Sequence, residues 1–269
     1  GSCDELIVVL ATTALTRLDE VDHGAGAVTV GAGVTLAALA DHVARAGWQY
    51  GVDLAARDSA TVGGTIATNA GGVRVCAYGM TRAQVLGLEY VTADGAIVSR
   101  LAGLPKDNTG YDLAGLLTGS EGTLAVITAA RLRLHPRPPE TLVVLVGFAS
   151  LRAAQDLLRG LPSPAQVYGA EIVDAAGLEL VAAVMGEPVP IPQWWPYVLL
   201  IEATEIELPD DAVAVAAADV ADARRLWAFR ERMSEAVSTL GVVHKLDISA
   251  PKENLDELIE EVRARVPAE

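Results

Sequence analysis

Two stretches of this chain concentrate residues able to do chemistry. The first runs from Asp58 to Gly79 and sets the pairs Gly63-Gly64 and Gly71-Gly72 among Thr61, Thr65, Thr68 and Asn69. Glycine lacks a Cβ, so such a segment can turn through positive φ and aim several N–H groups and hydroxyls at one anionic or polar ligand. A plain turn between strands is the competing reading of any glycine-rich stretch. No GxGxxG opens a helix and no GxxxxGK[ST] occurs, which argues against a Rossmann site and a P-loop. The second stretch is DARRLWAFRERMSEAVSTLG, residues 222–241. At helical spacing Leu226, Met233, Val237 and Leu240 form an apolar stripe, with Arg230 in its middle and Ser234 one turn later. A guanidinium in an apolar stripe needs an anion, supplied either by an internal Asp or Glu or by a ligand carboxylate.

The elements that must position these groups follow from periodicity. Residues 5–11 and 27–34 are β-branched runs, and a helix follows the second, capped by Thr35 and closed by Gly47. Beyond the glycine-rich segment, LEYVTADGAIVSR forms a hairpin at Asp94-Gly95, and a strand through LAVITAARLRLHP ends at Pro136. The stiff PRPPE sequence divides the chain into 1–140 and 141–269. The second half predicts strand 141–148, helix 150–160, strand 165–173, helix 174–185 and strand 197–204. A long helix over 222–240, a strand over 242–249 and a final amphipathic helix complete it. Leu255, Leu258, Ile259, Val262 and Val266 of that last helix are expected to face inward. This order suits a split βαβ sheet with helices on one face. In the strand 242–249, Lys245 and Asp247 share one face, as a structural pair or as ligand contacts.

Composition narrows the function classes. The 269 residues are 51% hydrophobic with mean hydropathy +0.34, enough for a large core in two domains. A net charge of −15 disfavours nucleic acid and anionic membrane, which demand a basic face. No apolar run reaches membrane-span length and no signal peptide opens the sequence, so a cytoplasmic protein is expected. Cys3 and Cys76 are too few for a disulfide framework, and His23, His42, His135 and His244 lack metal-ligand spacing.

The ATVGG, TNAGG and DGAIVSR strings, followed by GSEGTLAVIT, resemble the FAD-binding domain of the vanillyl-alcohol oxidase type of flavoproteins. Within that superfamily the sequence looks most like the D-lactate, glycolate and D-2-hydroxyglutarate dehydrogenases, over residues 5–269. The resemblance implies an α+β protein: an FAD-binding domain followed by a ferredoxin-like α+β cap domain that carries substrate contacts. It implies FAD contacts at Ser59, Thr61, Gly63, Gly64, Thr68, Asn69, Gly71, Gly72 and Gly79, and at Glu121, Gly122 and Ile127 of the GSEGTLAVIT motif. It implies substrate contacts at Arg230, Ser234 and Lys245, with Ser234 standing where threonine is more usual. The expected reaction is hydride transfer from a D-2-hydroxy acid to flavin, with an electron acceptor as second partner and a homodimer or multi-subunit dehydrogenase as assembly.

Members of the family carry a further nucleotide-binding segment before the position of residue 5. They also continue past this C-terminus to histidines that bind metal and accept a proton. A divalent metal is therefore expected only with that C-terminal segment, and no catalytic base is assigned here. The alternative is a flavin-binding or partner-dependent subunit without turnover of its own. An alkylglycerone-phosphate-synthase-like activity would call for a phosphate-binding cluster or a covalently attached flavin, and the sequence displays neither.

Overall fold

The computed structural model describes residues 9–104, 106–138, 140–161, 167–192, 194–245, 247–251 and 254–266. The chain divides into two compact units, Gly1–Pro138 and Pro139–Glu269.

In the first unit, strand β1 (Ala27–Gly31) leads to helix α1 (Leu36–Arg45), whose cap Thr35 accepts the Ala38 N–H at 3.2 Å. Strand β2 (Trp48–Tyr50) and helix α2 (Val62–Ala67) follow, then the single turns α3 (Val75–Tyr78) and α4 (Thr81–Gln84). The hairpin β3 (Val85–Val91) and β4 (Ile97–Ser99) turns at Gly95, whose φ of +84° a side chain would resist. Helix α5 (Leu113–Leu117) precedes the long strand β5 (Val126–Pro136). Sheet order is β1-β5-β3-β4, with β2 pairing the far end of β5, antiparallel throughout. The core is built from Val28, Val30, Leu88 and Leu132 of the sheet, Leu39 and Val43 of α1, and Val62 and Ile66 of α2. Residues 5–8 of the expected first strand lie outside the described residues, and 9–11 form no strand.

The second unit has strands β6 (Leu142–Phe148), β7 (Val167–Asp174), β8 (Tyr197–Ala203) and β9 (Ala214–Ala216). Its helices are α6 (Leu151–Gly160), α7 (Ala175–Met185), α8 (Val220–Glu231), α9 (Met233–Ser238) and α10 (Leu255–Arg265). The sheet order is β7-β8-β6-β9, again antiparallel. One expectation is corrected here, because helices cover both faces. Val198 and Leu200 of β8 pack with α7, α8 and α9 residues, whereas Leu199, Ile201 and Ala203 pack with α6. The apolar run YVLLIEA leaves neither strand face polar enough for water, which is why a second helical layer is needed.

Two further expectations fail in this unit. The long helix over 222–240 is broken at Arg232, where φ −84° and ψ 4° cap α8. Residues 242–245 and 247–249 form no strand, with Val242 96% exposed, and Leu246 lies outside the described residues. Helix α10 forms, yet Leu255, Leu258, Ile259 and Val262 are only half-buried. They line a cavity of about 550 Å³ with Leu151, Ile172 and Tyr197, and Val266 is exposed.

Candidate functional site

The glycine-rich segment is built differently from a plain loop. Thr61 has extended backbone and its Oγ1 accepts the Gly64 N–H at 3.2 Å, so it caps α2. Val62, Thr65 and Ile66 then face the core, which leaves Gly64 and Thr68 on the outer face one turn apart. The first glycine pair therefore adopts helical, not positive, φ. What Gly63 requires is closeness, because its N–H donates to Ala32 O at 2.8 Å and a Cβ there would stand 2.7 Å from Ala32 Cβ. Gly72 needs both conditions, with φ +88° and the Asp53 carbonyl oxygen 2.0 Å from where its Cβ would lie. Gly79 ends α3 at φ +76°, and a Cβ on Gly71 would meet the tip of Val75 at 2.9 Å.

Gly64 and Gly122 behave otherwise. At Gly64 a Cβ would meet only Thr61 Oγ1, at 3.2 Å, and at Gly122 nothing lies within 4 Å. These two positions present bare backbone to an open face, next to the exposed Ser59 and Thr68. The Ser59 hydroxyl donates to Ala56 O at 3.3 Å and the Thr68 hydroxyl to Gly64 O at 3.0 Å, which leaves their oxygen lone pairs as acceptors.

Hydrogen bonds bring the separate sequence motifs together. Gly119 N–H donates to Ile66 O at 2.9 Å and Glu121 N–H to Ala67 O at 2.8 Å, so the GSEGT loop runs beside the end of α2. Asn69, at φ +50°, accepts the Arg82 N–H on Oδ1 at 2.9 Å. The Arg82 guanidinium in turn donates to Thr118 O at 2.6 Å and to Gly115 O. Glu121 is exposed at φ +52°, whereas Ile127 pairs with Tyr90 in the sheet and packs in the core. Arg82 and Gly119 are structural members of this assembly that spacing in sequence does not single out. An arginine three residues past a tight Gly79 turn is the one signal available.

A side-chain-poor face of this kind, edged by the Ser59 and Thr68 hydroxyls, fits FAD, which presents flat rings, hydroxyls and phosphates. Bare backbone at Gly64 and Gly122 permits close approach of a ring or phosphate, and a Cβ at either position would enter that space.

The second stretch resolves differently. Arg230 lies at the edge of the buried face of α8, which is made by Leu226 and Phe229 at 0% and 1% exposure, with Met233 continuing it across the break. Its Nε donates to Glu171 Oε2 on β7 at 2.8 Å, so an internal carboxylate is the partner present. Ser234, on α9, is exposed, and so is Lys245 in irregular chain. None of these three residues lines the cavity beside α10, and the structure does not draw them into one pocket. Leu240, expected in the stripe, is 73% exposed because α9 ends at Ser238 and Leu240 lies past its cap, Thr239. Among the described residues, no group of three or more His, Cys, Asp or Glu side chains is placed to hold a metal ion.

Comparison with known proteins identifies a matching family for each of the two units. Residues 1–100 match the family described as FAD binding domain, and residues 137–269 match FAD linked oxidases, C-terminal domain. The mitochondrial D-2-hydroxyglutarate dehydrogenase of Bos taurus is 36% identical over 280 residues, covering 96% of this chain and 51% of that protein. The D-2-hydroxyglutarate dehydrogenase of Xanthomonas citri pv. viticola is 34% identical over 238 residues, covering 82% and 50%. The chain thus spans about half the length of these curated relatives. A solved alkyldihydroxyacetonephosphate synthase superposes with a TM-score of 0.69 at 17% identity, covering 93% of this chain and 54% of that one. That likeness concerns the fold alone.

Proposed function

From a chain that belongs to the FAD-linked oxidases, we propose a D-2-hydroxy-acid dehydrogenase activity, oxidising the substrate to its 2-oxo acid. The observation that carries this reading is the meeting of the TNAGG and GSEGT segments through Gly119 to Ile66 and Glu121 to Ala67, beside the bare backbone of Gly64 and Gly122. FAD, when bound, supplies the hydride acceptor. Ser59, Thr61, Gly64, Thr68, Asn69, Gly122 and their neighbours would hold it by hydroxyls, amides and close approach. The remaining work of the chain is positioning and charge complementarity.

For the substrate, Arg230 is the proposed carboxylate partner. Glu171 occupies its Nε, and the fork of terminal nitrogens is the part of a guanidinium that pairs a carboxylate in two parallel bonds. Ser234 and Lys245 are proposed to assist from α9 and the exposed segment after it. The exposure of both favours the second reading as well, a flavin-binding subunit whose substrate residues are assembled by a partner.

D-2-hydroxyglutarate is the first substrate to test, with D-lactate and glycolate beside it. An electron acceptor is the implied second partner. No helix among the described residues is long and apolar enough to cross a membrane. A cytoplasmic location stands as a proposal beside the mitochondrial naming of the bovine relative, and fractionation of source cells decides between them. The central experiment is the absorbance spectrum of the purified protein under anaerobic titration with each acid. Flavin bands that bleach support the dehydrogenase, bands that persist support the subunit reading, and absence of bands after incubation with FAD overturns both.

A further inference from the structure

We propose that Arg82 is the positioning residue that sets the flavin cradle, acting through Asn69 and the GSEGT loop without touching the cofactor. This rests on the FAD reading above. Three stretches distant in sequence meet at this one residue. Its backbone N–H is accepted by Asn69 Oδ1 at 2.9 Å, and its guanidinium reaches 33 and 36 residues ahead to the carbonyls of Gly115 and Thr118. Those carbonyls belong to the last turn of α5 and its C-cap, where backbone oxygens lack helical donors and a cation is favoured.

The consequence lies in the next residues. Thr118 and Gly119 start the loop whose Glu121 N–H bonds the Ala67 carbonyl at the end of α2, and Gly119 stands at φ +84°. A Cβ on Gly119 would lie 3.2 Å from Asn69 Cβ and 3.4 Å from the Arg82 Nη2. The Arg82 backbone N–H fixes the rotamer of Asn69, a left-handed residue in TNAGG, and its guanidinium fixes the start of the loop packed against that residue. A lysine places one point charge there and lacks a fork able to bind two carbonyls at once. Asn69 and Gly119 are packed together, so the guanidinium that holds the Thr118 carbonyl also holds the start of the GSEGT loop against TNAGG.

The test uses the full-length enzyme with Arg82→Gln and Arg82→Lys, reading FAD dissociation rate, visible circular dichroism of bound flavin and apoprotein melting temperature. Loss of charge-assisted hydrogen bonds predicts FAD release faster by on the order of tenfold in Arg82→Gln, with a changed flavin dichroism. Arg82→Lys should recover little of either, and the apoprotein melting temperatures of the two variants should agree with each other. Wild-type release rate and dichroism in Arg82→Gln overturn the inference while leaving the FAD reading standing. Full recovery by lysine also overturns it, since charge alone would then suffice. A wild-type protein that binds no FAD removes the reading and the inference with it.

Discussion

The Arg230 guanidinium donates through Nε to Glu171 Oε2 at 2.8 Å, joining α8 to the edge strand β7. The side chains are 38% and 25% exposed, so the pair is half in water and contributes only about 1 kcal/mol to stability. A pair this modest can share its cation with an incoming carboxylate.

Arg230→Ala in the full-length enzyme should weaken hydroxy-acid binding by about thirtyfold to a hundredfold. That is the low end of the roughly 2–5 kcal/mol seen when a charge partner is removed, as partial exposure requires. Flavin occupancy should not change. Titration with D-2-hydroxyglutarate and D-lactate checks this, and equal affinities with a lowered melting temperature would leave the bond to Glu171 as the residue's whole role.

The glycines should separate into two classes. Gly64→Val should abolish flavin retention while the far-ultraviolet circular dichroism stays native, because its side chain enters open space beyond Thr61. Gly72→Ala should disturb the fold itself, since φ +88° and the Asp53 carbonyl both oppose a Cβ. Native melting in Gly72→Ala, or wild-type flavin content in Gly64→Val, would contradict the division.

His135 predicts a pH effect on the first unit. Its Nε2 lies 2.7 Å from Gln84 Oε1, while Gln84 Nε2 donates to Tyr78 O, so Nε2 carries the proton shared with the Gln84 oxygen. Burial, reinforced by the charge of Arg133, holds its pKa below the ordinary 6.5. The unfolded chain then binds a proton that the folded chain refuses. Stability from this group is full above the ordinary value and is lost as pH falls below it toward the folded-state pKa. Between about pH 7 and about pH 5, wild type should lose more melting temperature than His135→Gln. Parallel pH profiles would show that the network does not depend on a neutral imidazole.

Phe229→Ala should destabilise the second unit by about 3–5 kcal/mol, the range for emptying a fully buried aromatic site. Phe229 is 1% exposed between α8 and the sheet. Denaturant unfolding followed through Trp227, with Trp48 reporting the first unit, separates the two transitions. A loss near zero would mean that the α8 layer contributes little.

Sequence was most informative where one physical rule acts alone. Thr35 and Ser150 cap their helices as hydroxyl residues should, and Asp94-Gly95 turns its hairpin. The GSEGT and TNAGG strings were legible as motifs, yet their meeting was not, because it depends on Arg82 reaching over thirty residues ahead to backbone carbonyls. Carbonyl partners leave no trace in residue type. The long helix failed at Arg232 because helical periodicity continues through a break, and only backbone angles reveal it. The strand over 242–249 failed because alternation describes what a strand looks like without supplying a neighbour to pair with. The partner of Arg230 was open in sequence for a related reason, since Glu171 is 59 residues away on an element of different period.

The sheet of the second unit, covered by helices on both faces, meets solvent only along its margins. β9 is three residues long and too short to template another chain. β7 offers eight residues, but its register slips between Val167 and Gly169, and Glu171 and Asp174 put charge further along it. The carboxylate that engages Arg230 thus also places charge along a strand that, among the described residues, has only one neighbour in its sheet.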